Sequence, residues 1–326
     1  WFPPAWAIDG GPASYARQGG VIAYRLDNRK KEKIYKSMAD YLLYAKRYYG
    51  IEFSMFSFNE SDLGIDVLHT PQEHADFIKE FGAYLAGLNL PTRMLLGDNS
   101  DATTFDFILP ALNNPETHKY IGAVSFHSWR GCDDVTLRKW ADAAKEINVP
   151  LLVGEGSTDA AAHGYAEIFN ESTFALYEIN LYTRICTICQ PLSILQWQLT
   201  SDYSLLWGGG IYGSKGPLRP TQRFWNIKQL ASTPADALAI PVSSSKKNVN
   251  CAAFGNMVRG EYAVHMVNNG ADCEAVISGI PAEVKKLKVY VTNTKDCMKE
   301  TAVKVENGLV RVHLPAISFI TLLSGE

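Results

Sequence analysis

The chain has 326 residues, of which 47% are hydrophobic and 20% are charged, so it can bury a large core and is not a disordered protein. Its 31 basic and 34 acidic residues give a formal charge of −3 without a long block of one sign, which argues against a nucleic-acid-binding surface. The apolar runs are far shorter than the roughly 20 residues that cross a bilayer, so no membrane span is expected.

Residues 30–232 alternate between helical and strand patterns. In chain order we predict a helix over 31–49, a strand over 52–58, a helix over 70–88, a strand over 92–96, a helix over 105–112, a strand over 122–126, a helix over 135–147, a strand over 150–154, a helix over 165–189, a strand over 192–198 and a helix over 221–230. This alternation is typical of βα units on a parallel sheet. We therefore expect an α/β domain of the barrel type over residues 1–233.

The pattern changes after Pro234. Strands are predicted over 262–267, 274–277, 287–292, 308–314 and 317–323, and the pairs Gly255-Asn256, Asn269-Gly270 and Asn307-Gly308 are typical of turns between them. Residues 234–326 are therefore expected to form a small antiparallel β-domain.

The six cysteines do not identify the compartment. Cys186 and Cys189 form a C-x-x-C pair, but no second pair follows at the spacing of a zinc site. We interpret them as two small residues one helical turn apart. A disulfide among Cys251, Cys273 and Cys297 stays open.

Polar residues follow each predicted strand of the first domain. They are Asn59-Glu60, Asp98-Asn99, His127-Ser128-Trp129, Glu155 and Trp197-Gln198. In parallel α/β barrels the active groups project from these strand ends. Glu60 and Glu155 are separated by two intervening strands, and strand ends three apart face each other across a closed barrel. The two carboxylates are therefore expected near the ~5 Å separation of a retaining glycosidase.

Each of these residues also has a structural interpretation. Asn59-Glu60-Ser61 is a glycosylation sequon that recurs at 170–172, inside a predicted helix, so the motif alone is not specific. Glu155 is compatible with a role as a helix cap. We expect His127 to line the pocket and to orient a carboxylate or a sugar hydroxyl. Trp129 and Trp197 offer aromatic faces for the C–H face of a sugar, and Trp197 is the better candidate because it ends a strand.

The order and spacing of these motifs resemble family 30 of the glycoside hydrolases, a retaining family of clan A. The matching segments are Phe2-Pro3-Pro4-Ala5-Trp6, which resembles the segment after the third barrel strand, Phe56-Ser57-Phe58-Asn59-Glu60 (acid/base strand), Val124-Ser125-Phe126-His127 (sixth strand), Gly154-Glu155 (nucleophile strand) and Trp197-Gln198 (eighth strand). The resemblance implies a (β/α)8 TIM barrel, here its fourth to eighth strands, followed by a β-sandwich.

The resemblance also implies roles for individual residues. Glu60 would be the acid/base, Glu155 the nucleophile, and Asn59 a donor to the sugar 2-hydroxyl. A carbohydrate substrate would further contact His127, Trp129, Trp197, Gln198 and Trp6. No metal or organic cofactor is required, and a secreted, periplasmic or lysosome-like location is expected.

Two residues depart from the family pattern. Ser61 stands where the family usually has proline, and Trp129 stands where it has tyrosine. Losing the tyrosine hydroxyl predicts a missing hydrogen bond to Glu155. These departures favour an alternative hypothesis, a catalytically silent carbohydrate-binding barrel. A third hypothesis, an aldolase or sugar isomerase, would need a Schiff-base lysine or a metal cluster at a strand end, and the sequence offers neither.

The length before Glu60 carries a further expectation. If Asn59-Glu60 ends the fourth barrel strand, three preceding βα units of ~30 residues each do not fit before it. We expect an upstream segment, another polypeptide or a neighbouring copy to supply the first strands.

Overall fold

The computed structural model describes residues 3–10, 15–18, 21–159 and 164–325, so Phe2 of the matching segments lies outside the described residues. The elements before the β-domain are β1 (Tyr15–Gln18), β2 (Val21–Tyr24), α1 (Lys31–Tyr49), β3 (Met55–Phe56), β4 (Asp66–Val67), α2 (Pro71–Gly87), β5 (Arg93–Asn99), α3 (Leu109–Leu112), α4 (Pro115–His118), β6 (Ile121–Phe126), α5 (Asp134–Glu146), β7 (Leu151–Gly156), α6 (Ser172–Ile188), β8 (Ser193–Gln196), β9 (Leu206–Trp207), β10 (Arg219–Pro220) and α7 (Gln222–Leu230). Short 3-10 helices include Ala5–Ala7, Ala102–Ile108 and Ala166–Asn170. In the described ranges, no helix is long and apolar enough to cross a membrane.

Five of these strands form the sheet that carries the strand-end residues. Their order is β3-β5-β6-β7-β8, and the pairs β3/β5, β5/β6 and β6/β7 are parallel. Strand β6 is almost entirely buried, as expected for a strand covered on both faces. The predicted part of a (β/α)8 barrel is thus confirmed.

Helix α2 shows how the sequence builds this layer. It begins with a capping box, in which the Thr70 hydroxyl accepts from the Glu73 N–H and the Glu73 carboxylate accepts from the Thr70 N–H. Its apolar face buries Phe77 and Phe81, whose rings contact Phe56 of β3. The aromatic cluster therefore anchors the strand that leads to Glu60.

Several element boundaries differ from the prediction. The strand expected over 52–58 is confined to Met55–Phe56, because the chain turns at 59–64, where Glu60 has a φ of 47°. The helix expected over 165–189 breaks at Glu171, whose extended backbone separates a 3-10 helix from α6. The second sequon therefore lies at a helix break and not inside a helix.

The C-terminal elements are antiparallel strands, as predicted. They are β11 (Leu238–Ile240), β12 (Val249–Asn256), β13 (Glu261–Asn268), β14 (Cys273–Ser278), β15 (Lys286–Thr292), β16 (Lys299–Lys304), β17 (Leu309–Leu314) and β18 (Ser318–Leu323). One sheet has the order β11-β12-β13-β18-β15-β16, and β14 pairs with β17. Met266, Leu287, Val312 and Ile320 belong to the shared apolar core of this β-sandwich. Gly255-Asn256 ends β12 instead of forming a separate turn, and β16 escaped prediction because its side chains are mostly exposed and polar.

By contact density the chain divides into two compact units, residues 1–156 with 191–195 and residues 157–190 with 196–326. Helix α7 belongs to the second unit together with the sandwich. Its buried Gln229 donates to the Phe319 carbonyl oxygen at 3.1 Å and accepts from the Thr292 hydroxyl at 2.7 Å. The boundary at 233/234 stays a prediction from the change in pattern.

All six cysteines are free thiols. Cys186 lies in α6, and burial raises the pKa of its thiol to about 12, so it is not a reactive thiolate at neutral pH. Cys251, Cys273 and Cys297 carry free thiols.

A buried ion pair lies inside the second unit. Arg223 of α7 donates from Nε and Nη2 to the carboxylate of Glu178 in α6, at 2.8 and 2.7 Å. Its Nη1 donates to the carbonyl oxygens of Tyr203 and Ser204, so the guanidinium also holds the loop that precedes β9. Both side chains are almost fully buried.

We expect Glu178→Gln to lower the free energy of unfolding by about 3–5 kcal/mol, because it leaves the buried Arg223 charge without its counterion. Urea denaturation followed by circular dichroism measures the change. The control is Glu116→Gln, which removes the exposed partner of Lys79 and should change the stability far less, because water screens that pair. Equal losses in the two variants would contradict the assigned importance of the buried pair.

Candidate active site

Four ionisable side chains gather at the carboxyl ends of adjacent strands. Glu60 follows β3, Asp98 lies near the end of β5, His127 directly follows β6, and Glu155 lies near the end of β7. All four are buried, His127 completely. Such a concentration of buried charge is costly unless the groups compensate one another.

The backbone fixes these residues relative to one another. The Glu60 N–H donates to the Asp98 carbonyl oxygen at 3.1 Å, and the His127 N–H donates to the Asn99 carbonyl oxygen at 2.9 Å. The Ser128 N–H donates to the Glu155 carbonyl oxygen at 2.9 Å. Hydrogen bonds therefore continue past the regular strands and hold the strand ends together.

His127 is the centre of the cluster. Its Nδ1 lies 2.8 Å from Oε1 of Glu60 and 3.4 Å from Oε2 of Glu155, and its Nε2 lies 3.2 Å from Oδ1 of Asp98. One carboxylate oxygen of Glu60, one of Glu155 and one ring nitrogen of His127 lie within 4.8 Å of one another. The structure thus brings together three of the predicted site residues.

The electrostatics of the cluster follow from this geometry. Burial opposes the charge on His127, but its hydrogen bonds to Asp98 and Glu60 outweigh burial and raise its pKa to about 10. Burial also acts to raise the pKa of Asp98, but the hydrogen bond from His127 prevails and holds it below the usual range. For Glu155, burial raises the pKa; His127 counteracts this rise and Glu60 adds to it. His127 is accordingly an imidazolium at neutral pH.

Trp129 contacts the cluster through its indole. Its Nε1 donates to Oε2 of Glu155 at 3.1 Å. The expected missing hydrogen bond to Glu155 is therefore not found, because the indole N–H of Trp129 donates one in place of the tyrosine hydroxyl. The sequence did not reveal this contact, because the orientation of the indole ring depends on tertiary packing.

Each glutamate uses one oxygen in these contacts. Among the described residues, the hydrogen bonds to the two side chains fall on Oε1 of Glu60 and on Oε2 of Glu155. Oε2 of Glu60 and Oε1 of Glu155 are left for a ligand. The two oxygens of each glutamate therefore have different surroundings.

Asp98 and Gly154 belong to the site; both were expected at strand ends, but neither was assigned a role from the sequence. The Asp98 carboxylate accepts from the Ser57 hydroxyl at 2.5 Å and from the Ser125 hydroxyl at 3.1 Å. A Cβ on Gly154 would lie 2.3 Å from Oδ1 of Asp98 and 3.1 Å from Nε2 of His127. Only glycine lets this strand approach the ion pair, and the Gly154-Glu155 pair was the one available signal.

The trio of Glu60, His127 and Glu155 has donor types found in metal sites. However, two ligands about 2.1 Å from a tetrahedral ion would be more than about 3 Å apart, whereas Nδ1 and Oε1 of Glu60 are 2.8 Å apart. A protonated ring also offers no lone pair. The geometry fits a hydrogen-bonded ion pair better than a metal centre.

The other predicted ligand-binding residues lie outside the cluster's contacts. Asn59 is exposed. Trp6 lies in the 3-10 helix Ala5–Ala7, with Nζ of Lys33 4.3 Å from its ring centroid. Trp197 and Gln198 follow β8 and belong to the second compact unit, and Trp197 is 38% exposed. Their roles in substrate binding stay predictions.

Solved structures share this fold. A GH30 endoxylanase from Clostridium papyrosolvens C71 matches with a TM-score of 0.79 and 17% identity, over 100% of this chain and 78% of its own. A glycoside hydrolase family 30 subfamily 8 xylanase from Clostridium acetobutylicum matches with a TM-score of 0.80 and 15% identity, over 100% and 78%. A conserved exported protein from Bacteroides fragilis matches with a TM-score of 0.68 and 14% identity, over 92% and 70%.

The sequence by itself does not match any family model, and it matches no curated protein. At identities of 14–17% the structural matches show the fold and not the activity. The chain therefore has the fold of family 30 glycoside hydrolases, which confirms the resemblance read from its motifs.

We expect Gly154→Ala to displace the Asp98 carboxylate from His127, because the added methyl group overlaps Oδ1. The loss of packing and pairing should lower the free energy of unfolding by about 1–3 kcal/mol. Chemical denaturation checks this, with Gly87→Ala as a control at a site where a Cβ meets no atom within 4 Å. A Gly154 variant as stable as the control would contradict the described contact.

The His127 ring should stay protonated through neutral pH and titrate near pH 10, as 15N-detected NMR of the imidazole nitrogens can measure. Because its pKa in the unfolded chain is near about 6.5, the stabilisation is complete below that pH. It is lost as the pH rises through about 10. The signal is assigned by its absence in His127→Gln. A ring that titrates below pH 7 would show that the carboxylates do not hold the proton.

Proposed function

We propose that the protein is a retaining glycoside hydrolase that cleaves β-linked glycosides by double displacement. The supporting observation is the pair of buried side chains Glu60 and Glu155 at the strand ends of a family 30 fold, where one oxygen of each lies within 4.8 Å of the other. Retaining glycosidases place their two carboxyl groups about 5–5.5 Å apart, whereas inverting enzymes need room for a water molecule between them. The spacing favours direct attack by one carboxylate.

In the first step, neutral Glu60 gives its proton from Oε2 to the departing glycosidic oxygen. Oε1 of Glu155 attacks the anomeric carbon, so the glycosidic C–O bond breaks while an ester C–O bond forms. In the second step, ionised Glu60 takes a proton from water, whose oxygen attacks the same carbon and releases Glu155. Two inversions restore the original anomeric configuration.

The assignment of the two roles rests on the resemblance to the family's strand motifs. A raised pKa by itself would suit a proton donor, and burial raises the pKa of Glu155. The His127 cation and the Trp129 N–H, however, both face Oε2 of Glu155 and stabilise its ionised form.

The substrate class is a polysaccharide or a glycoconjugate. Asn59, Trp6, Trp129, Trp197 and Gln198 are the residues proposed to bind the sugars, by amide hydrogen bonds and by contact between indole faces and sugar C–H groups. Two of the structural matches are described as xylanases, and one is described as an exported protein. A β-linked plant-type polysaccharide met outside the cytoplasm is therefore the first substrate to test.

Glu60→Gln should lower kcat/KM by about 10²–10⁴-fold for a glycan with a poor leaving group. It should lower kcat/KM far less for a nitrophenyl β-glycoside, whose leaving group needs little protonation. Glu155→Gln should abolish turnover of both substrates, because an amide at this position does not form the glycosyl ester. The measurement is initial-rate kinetics on the two substrates.

The control for these variants is Glu146→Gln, an exposed glutamate at the end of α5 that should keep wild-type rates. Wild-type rates in Glu155→Gln would contradict the proposal. Glycan binding in calorimetry without any product from the unmodified protein would instead select the silent carbohydrate-binding barrel.

A further inference from the structure

Asp98 is a third buried carboxylate at the strand ends. It is less than a tenth exposed, and it lies on the opposite side of the His127 ring from the two glutamates. The Ser57 and Ser125 hydroxyls hold it from the two neighbouring strands. Neither step of the proposed reaction uses it.

We propose that Asp98 is a positioning residue that fixes the His127 ring, and so determines which oxygen of Glu60 and which oxygen of Glu155 reacts. The proposal rests on the proposed function. Asp98 accepts a hydrogen bond from the Nε2–H group, which directs the Nδ1 N–H toward Oε1 of Glu60 and the neighbouring Oε2 of Glu155. The remaining oxygens are then free to donate the proton and to attack.

The surroundings of Asp98 support a positional role. An imidazole ring held by one hydrogen bond can rotate about its Cβ–Cγ bond, whereas bonds at both nitrogens fix its plane. The absence of a Cβ on Gly154 is what lets β7 pass beside Oδ1 and Nε2. A side chain that only linked the neighbouring strands by hydrogen bonds could be neutral. Asp98 instead places a third carboxyl group close to two glutamates, where the positive charge of His127 compensates its negative charge.

The test is Asp98→Asn, which preserves size and removes the charge. We expect kcat to fall by about 100-fold while KM changes by less than about threefold, because the oxygens are misplaced and the sugar contacts remain. The matched control is Asp101→Asn directly after β5, a buried aspartate that bonds Thr103 and Arg130 and not His127. Equal kcat values in the two variants would overturn the proposal.

A double-mutant cycle with His127→Gln separates positioning from general damage. If Asp98 acts through His127, the double variant should be no slower than His127→Gln alone. Multiplied losses would overturn the proposal, even if Glu60→Gln and Glu155→Gln confirm the proposed function.

A second readout does not depend on hydrolysis. In the 15N NMR spectrum at neutral pH, both ring nitrogens of His127 should carry a proton in the wild-type protein. We expect Asp98→Asn to remove this doubly protonated signal and Asp101→Asn to leave it unchanged. An unchanged His127 signal in Asp98→Asn would overturn the proposal. If the signal changes as expected but the unmodified protein hydrolyses no glycoside, the proposed function has failed while the ring-fixing contact is confirmed.

Discussion

The site depends on the imidazolium of His127, one cation in contact with three carboxyl groups. Without this charge, the buried carboxylates beside the ring would have no counterion, and burying them would be costly. The ring nitrogens contact one carboxyl oxygen of each of these three side chains, at distances from 2.8 to 3.4 Å. His127 therefore both compensates negative charge and determines how the carboxyl oxygens are oriented.

The fold serves this arrangement by presenting four adjacent strand ends. Each strand contributes one ionisable group, and backbone hydrogen bonds beyond the regular strands keep those groups in register. The aromatic cluster of α2 anchors the short strand before Glu60. The second unit also contains a buried charge with its partners. There the buried Arg223 guanidinium is positive, and Glu178 and carbonyl oxygens compensate it.

The parallel sheet, the antiparallel β-domain and the gathering of Glu60, His127 and Glu155 were predictable from the sequence. Alternating helix and strand patterns and polar strand ends are local signals, and the topology of a parallel sheet then brings those ends together. The role of Asp98 was not predictable, because nothing in the local sequence shows that its carboxylate pairs with a histidine 29 residues further along the chain, at the end of the neighbouring strand. The Trp129 contact was missed for a similar reason, since its indole orientation depends on tertiary packing. The short extent of β3 also followed from tertiary structure, where the left-handed turn at Glu60 overrides a β-rich sequence.

The central claim is that Glu155 forms a covalent bond to the sugar. Incubation with 2-deoxy-2-fluoro-β-glycosides that carry a good leaving group, followed by mass spectrometry of the digested protein, tests it directly. The account predicts one sugar attached per chain, on the peptide that contains Glu155, and no such adduct in Glu155→Gln. Turnover of β-glycosides with inverted anomeric configuration, or an adduct on any other residue, would contradict it.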